Sequence, residues 1–310
     1  MVNTIWIAGS TQNTAELALR LQNDPRFHIT QLLTPAPQPS GRKKVITPNP
    51  LHQFGIEHLI PIILVNKKID STTKEAIQGL NRPDLLLVVD FGYLIPQWFL
   101  DIPLISPINI HPSELPKYRG SSPGQFALLC GEHTSAITVI KMDRLLDHGP
   151  IIAQLPFEIN SNWTASEYYK FAFALIGEHL SDILIDYITQ PKITPQSDTS
   201  PTITARILSR EDGFTEWKTL TQLMRGESVD KTQVLLTSCG QETNSHTFSN
   251  LVRGLSPWPG VWTLVPTRDG TKRLKLLRTS TENGKLHLEL VQLEGQKPEN
   301  FKQLAGKILM

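Results

Sequence analysis

Cysteine, net charge and long apolar runs are all scarce in this 310-residue chain. Its two cysteines, Cys130 and Cys239, stand at no metal-ligand or redox spacing, and no basic start leads into a long apolar stretch. These absences argue against a metal or redox motif, a secretory signal and a membrane span, so a reducing, cytoplasmic setting is expected. Glycine is missing where a dinucleotide fingerprint would need three. The first turn, AGSTQNTAE, holds only Gly9, which argues against a nicotinamide or flavin nucleotide. The formal charge of +1 is uninformative as a total, but residues 1–202 carry 15 Lys+Arg against 18 Asp+Glu and residues 203–310 carry 15 against 11. A mildly basic second half suits contact with nucleic acid without demanding it.

What is present is an ordinary globular balance, 39% hydrophobic and 19% charged, at a length that suggests two domains. Short apolar runs alternate with amphipathic stretches: TIWIAG, a helix over 14–22, HITQLLT, a helix over 71–78, then DLLLVVDFG and a strand entering NIH. That alternation predicts an α/β, Rossmann-like fold. AITVIKM and PIIAQLPFEI read as two further strands. Tyr168, Phe171, Leu175, Ile176, Leu180, Leu184 and Ile188 recur at helical spacing and predict a long helix over 164–188. Residues 190–202, rich in proline, serine and threonine, read as a linker between a domain at 1–189 and one at 203–310. In the second domain VWTLV, RLKLLR and KLHLELVQL alternate with period two between turn signals, which predicts a small antiparallel β-barrel carrying Lys272, Arg273, Lys275 and Lys285. The polar stretch over 225–249 reads as an inserted loop.

The stretch INIHPSELPKYRGSSP, residues 108–123, ends a strand in proline, serine and glycine. Asn109 and His111, two residues apart, project from one face of that strand at its carboxyl end, where open parallel sheets bind ligands. Between the next two strands the turn DRLLDHG carries Asp147 in an aspartate-x-glycine sequence, with Asp143, Arg144 and His148 around it.

NIHPSELPKYRGSSP, MDRLLDHG, SGRKKVITPNP and the late SPWPG together resemble the methionyl-tRNA formyltransferase family, over nearly the whole chain. The resemblance implies a Rossmann-like formyltransferase domain followed by an oligonucleotide-binding-type (OB-like) β-barrel that helps hold initiator tRNA. It implies 10-formyltetrahydrofolate as co-substrate, charged initiator methionyl-tRNA as partner, no metal, no membrane and a monomer. Carried onto matching positions, the catalytic residues are Asn109, His111 and Asp147. Phe91, Gly92, Tyr93, Leu94 and Ile95 match the segment bordering the pterin, with Ser113, Glu114, Leu115 and Pro116 beside it. Three departures bear on the folate pocket: Glu114 where leucine is usual, Pro150 after Gly149, and Asp90 in VVDFG.

Formyl transfer to an amine passes through a tetrahedral carbon bearing an oxyanion. Asn109 and His111 can donate to that oxygen, and Asp147 can orient His111 and help remove the amine proton. A sugar N-formyltransferase shares this chemistry, and a catalytically silent tRNA-binding module is the alternative outside enzymes. Glycinamide ribonucleotide formyltransferase would leave about one third of the chain unexplained. The discriminator is TPAPQPSGRKKVITPNP, seventeen residues with five prolines. Its cations Arg42, Lys43 and Lys44 suit an arm lying against tRNA phosphates.

Overall fold

The computed structural model describes residues 2–40, 45–229 and 233–309. Contacts group the chain into two units, the first made of residues 1–116, 136–155 and 170–199, the second of 117–135, 156–169 and 200–310. Strands β1 (Asn3–Gly9), β2 (Phe27–Pro35), β3 (Pro39–Ser40), β4 (Val45–Ile46), β5 (Ile62–Val65), β6 (Leu85–Val89), β7 (Ser106–His111), β8 (Thr134–Lys141) and β9 (Ile151–Glu158) follow in order. Among them run helices α1 (Gln12–Gln22), α2 (Pro50–Glu57), α3 (Ser71–Ala76), α4 (Gln97–Leu100), α5 (Pro123–Leu129) and α6 (Ala165–Thr189).

The first unit is built on a seven-stranded sheet ordered β5-β2-β1-β6-β7-β8-β9, parallel from β5 to β7 and antiparallel from β7 to β8. All five residues of β6, LLLVV, are buried, because a central parallel strand is covered on both faces and needs apolar side chains throughout. The Rossmann-like α/β expectation is met here as a mixed sheet. The lone Gly9 has a steric cause: a Cβ there would run into the Val89 carbonyl oxygen at the end of β6. Thr11 then caps α1, its hydroxyl accepting from the Thr14 N–H at 3.3 Å, so the helix starts two residues before the expected position. The helix expected over 71–78 closes at Ala76.

Helix α6 spans nearly the expected range. Its buried line is Ala172, Phe173, Ile176, Leu180 and Leu184, while Phe171 is 41% exposed. A run of four-residue steps from Ala172 to Leu184 defines the inner face, and Phe171 falls one position off it. The β8–β9 connection, residues 142–150, is tightly closed: the Lys141 N–H donates to the Pro150 carbonyl at 3.0 Å. At Gly149 a Cβ would overlap the Lys141 carbonyl oxygen, so only glycine fits.

In the second unit α7 (Trp217–Arg225), α8 (Val234–Ser238) and α9 (Ser245–Leu255) precede a four-stranded antiparallel sheet. Its order is β10 (Val261–Thr267), β11 (Gly270–Glu282), β12 (Lys285–Leu293), β13 (Glu299–Asn300). The turn between β11 and β12 is Asn283–Gly284, both with positive φ, as the ENGK signal indicated. The stretch over 225–249 is not one inserted loop: it contains α8 and the start of α9. Its polar residues act as caps. Gln233 accepts from the Leu235 N–H at 3.1 Å, and Asn244 with Thr247 forms a capping box, so polar residues here begin helices instead of marking a loop. Helices α5 and α9 approach closely enough that a Cβ on Gly254 would stand 2.8 Å from the Gln125 carbonyl oxygen. Cys130, at the end of α5, and Cys239, at the end of α8, form a disulfide with Cα atoms 5.4 Å apart. Their separation of 109 residues held no signal of this pairing, and the disulfide runs against the reducing setting expected from the cysteines.

Replacement of Gly149 by alanine is expected to lower unfolding free energy by about 2 kcal/mol, the cost of forcing atoms into a closed backbone contact. Urea denaturation measures it, and a wild-type midpoint would show that the connection yields freely. Reduction of the disulfide, or Cys239→Ser, is expected to cost about 2–4 kcal/mol by releasing a long loop in the unfolded chain. Unfolding curves with and without reductant should therefore differ for the wild type and coincide for the Cys239→Ser variant.

Candidate active site

The carboxyl ends of β6 and β7 and the β8–β9 connection supply the site, all within the first unit. On β7, Asn109 pairs with Val88 on one side and Ile140 on the other, which fixes its height in the sheet. His111 lies level with Thr138 of β8 and is buried. Asp147 reaches both. Its Oδ1 accepts from Asn109 Nδ2 at 3.3 Å, and its Oδ2 lies 3.6 Å from His111 Nδ1. The three sequence-predicted residues, 38 positions apart in the chain at their extremes, therefore meet in one cluster.

Asp147 holds this position with φ +50°, a left-handed backbone that a residue with a Cβ adopts only when its surroundings impose it. The surroundings are visible. Gln196 Nε2 donates to the carbonyls of Asp147 at 3.0 Å and Gly149 at 2.7 Å. Within the connection, Asp143 accepts from the Leu145 N–H at 2.8 Å and pairs with His148 Nδ1 at 3.0 Å. Leu145 and Leu146 are both more than half exposed beside Asp147.

Asp90, noted in the sequence only as a departure, belongs to the same neighbourhood. Extending the β6–β7 register by two residues sets it level with His111. Its carboxylate accepts from Thr11 Oγ1 at 2.7 Å and Asn13 Nδ2 at 3.1 Å, and its carbonyl accepts from Ser10 Oγ at 3.1 Å. Burial pushes the Asp90 carboxyl above the usual carboxylate range. The Thr11 and Asn13 bonds and the charge of His111 act the other way. The signal that would have found it is register: two neighbouring parallel strands that end together bring their next residues side by side.

Around the cluster, Phe91, Tyr93 and Ile95 pack on the core formed by Trp6, Leu33, Val88 and Phe99, whereas Gly92 and Leu94 face outward. Phe91 and Tyr93 meet edge to face at 5.5 Å. The segment from Ser113 to Pro116 is pinned by its backbone. Thr138 Oγ1 donates to the Ser113 carbonyl at 2.6 Å and Gln154 Nε2 to the Leu115 carbonyl at 3.0 Å. Ser113 and Leu115 are buried, Glu114 is half-buried, and the Leu115–Pro116 peptide is cis. Arg42, Lys43 and Lys44 lie outside the described residues; the flanking β3 and β4 pair antiparallel.

A family model described as formyl transferase matches residues 2–178, more than half of the chain. The methionyl-tRNA formyltransferase of Geobacter metallireducens is 32% identical over 292 residues, covering 87% of this chain and 84% of its own. That of Staphylococcus epidermidis is 31% identical, covering 83% and 74%. Among solved structures, the methionyl-tRNA formyltransferase from Clostridium thermocellum superposes with a TM-score of 0.58 at 17% identity, covering 94% of this chain and 99% of its own. WlaRD, a sugar 3N-formyl transferase solved in the presence of dTDP and 5-N-formyl-THF, gives 0.58 at 16% identity, covering 91% and 88%. At these identities the two structures speak for the fold alone. The match of the family model across the unit that holds Asn109, His111 and Asp147, joined by near full-length relatives above 30% identity, places the chain in the formyl transferase family.

Proposed function

We propose that the chain transfers a formyl group from 10-formyltetrahydrofolate to the methionyl amine of charged initiator tRNA, in the cytoplasm, at the start of translation. The observation that carries the reading is the meeting of Asn109, His111 and Asp147 at the carboxyl edge of the sheet. The acceptor is argued from the curated relatives, whose likeness extends beyond the formyltransferase unit into the residues that follow it.

In this mechanism the neutral methionyl amine attacks the formyl carbon, and the carbonyl electrons move onto oxygen. Asn109 has a second amide N–H besides the one given to Asp147, and His111 offers a ring N–H; both serve the oxyanion, at roughly 3 kcal/mol per donor in comparable enzymes. Asp147 takes the proton from the attacking nitrogen, directly or through one water. Collapse of the tetrahedral carbon then expels the folate nitrogen, which leaves as an amine by taking up the proton that Asp147 received. No covalent enzyme intermediate is required, because the acceptor is itself the nucleophile. The pterin is assigned to Phe91, Gly92, Tyr93, Leu94 and Ile95, with Ser113, Glu114, Leu115 and Pro116 beside it.

The second-unit sheet is proposed as the OB-like module that holds tRNA. Lys272, Arg273 and Lys275 lie on β11, and the Arg273 guanidinium stands 5.9 Å from the Trp262 ring centre, a pairing suited to a nucleic-acid surface. Arg42, Lys43 and Lys44 are proposed as a phosphate-contacting arm.

Formyl transfer assayed with charged initiator tRNA, charged elongator tRNA and an amino-sugar nucleotide tests the reading. Transfer to initiator tRNA is expected, and transfer to the sugar alone would reject it. Asn109→Ala, His111→Ala and Asp147→Ala are each expected to lower kcat by about a hundredfold or more. Arg42→Ala is expected to weaken use of tRNA strongly and Lys43→Ala mildly, since a guanidinium grips phosphate in bidentate fashion. Folate binding, followed by a folate analogue's effect on Tm, should be the same in both variants and the wild type.

A further inference from the structure

The segment 190–202 has the composition of a linker, yet part of it is fastened to the connection that carries Asp147. Thr194 and Ile151 exchange both backbone hydrogen bonds, each at 2.8 Å, as an isolated antiparallel bridge. Two residues on, Gln196 places its amide nitrogen between the carbonyls of Asp147 and Gly149, at 3.0 and 2.7 Å. Two residues further, Asp198 Oδ1 lies 3.5 Å from His148 Nε2, whose other nitrogen meets Asp143 at 3.0 Å. Three successive attachments thus run along residues 147–151, and the middle one brackets the residue in the left-handed conformation.

We infer that Gln196 is a positioning residue for formyl transfer, its side-chain amide holding the connection so that the Asp147 carboxylate reaches Asn109 and His111. The inference rests on the proposed role of Asp147. The chemistry of the bracket is specific. Two carbonyl oxygens need two N–H donors at one point, and a primary amide nitrogen supplies two. A hydroxyl would supply one, and a carboxylate would set negative charge against both oxygens. The restraint is needed because Asp147, unlike glycine, does not favour φ +50°. Without the bracket its carbonyl is free to swing, and the carboxylate loses its placement at 3.3 Å from Asn109 and 3.6 Å from His111. A shift of about 1 Å in a reacting group costs up to a hundredfold in rate.

The test compares Gln196→Ala and Gln196→Glu with wild type and Asp147→Ala in the full chain, by steady-state formylation of charged initiator tRNA and by thermal unfolding. Gln196→Ala is expected to lower kcat about tenfold, with KM for both substrates within about twofold of wild type. The pH response of Gln196→Glu separates positioning from simple support. The ionisable groups engaged on the segments that Gln196 joins are Asp147, whose carbonyl it holds, and His148 with its partners Asp143 and Asp198. They are the same in every Gln196 variant, so kcat is read as a ratio to wild type at each pH. The introduced carboxyl, held against two carbonyl oxygens, protonates more readily than a free one and can then donate one bond. Its ratio is expected to rise several-fold from pH 8 to pH 5.5, while that of Gln196→Ala stays flat. Wild-type kcat in Gln196→Ala, beside a crippled Asp147→Ala, would overturn the positioning role alone. A flat ratio for Gln196→Glu, with both losses matched by the unfolded fraction, would do the same. Wild-type kcat in Asp147→Ala would overturn both this inference and the role of Asp147 beneath it.

Discussion

The carboxylate of Asp147 is the point through which the site is assembled: one oxygen engages Asn109 and the other faces His111. β7 alone could not complete this cluster. A strand can set two side chains on one face, but the third group must come from another element and approach across the strand end. The β8–β9 connection does so at a cost in backbone freedom, with Asp147 in a left-handed conformation and Gly149 closed against Lys141. Those constraints are met within the connection by Asp143, which holds Leu145 and His148, and from outside by Gln196.

The sheet contributes the other half of the constraint. Because β6 and β7 run parallel and end together, Asp90 and His111 come level, and the first turn is drawn in through Thr11 and Asn13. His111 therefore has a carboxyl group in its surroundings from two different elements. Asp90 sits where burial disfavours its charge, held by Thr11 and Asn13.

The same position at the N-terminus of α1 explains why a Rossmann-like fold here has no use for a glycine-rich first turn. In a dinucleotide site the helix end faces pyrophosphate and the turn must let it approach. In this chain the end of α1 is closed by protein groups, Thr11 as cap and the Asp90 carboxylate against Thr11 and Asn13. The single glycine serves packing between β1 and β6. The fold is kept, with Asn109, His111 and Asp147 gathered at the ends of β6 and β7.

Local pattern alone was enough for many of the elements. Apolar runs marked β1, β2, β6 and β8, four-residue steps marked α6, and alternation with an Asn-Gly turn marked β11 and β12, because each signal acts between residues a few positions apart. The Asn-x-His pair and the aspartate-x-glycine turn were legible for the same reason, as short motifs on recognisable strand ends. What the sequence could not contain is whatever depends on distant residues meeting. The approach of Asp147 to Asn109, the level placement of Asp90 beside His111, and the bracket from Gln196 all arise from strand order and loop closure. The capped helices over 225–249 were hidden because capping residues are the same polar types that make loops. The Cys130–Cys239 pairing was hidden because a disulfide leaves no periodicity, only a distance that the tertiary fold of its own unit decides.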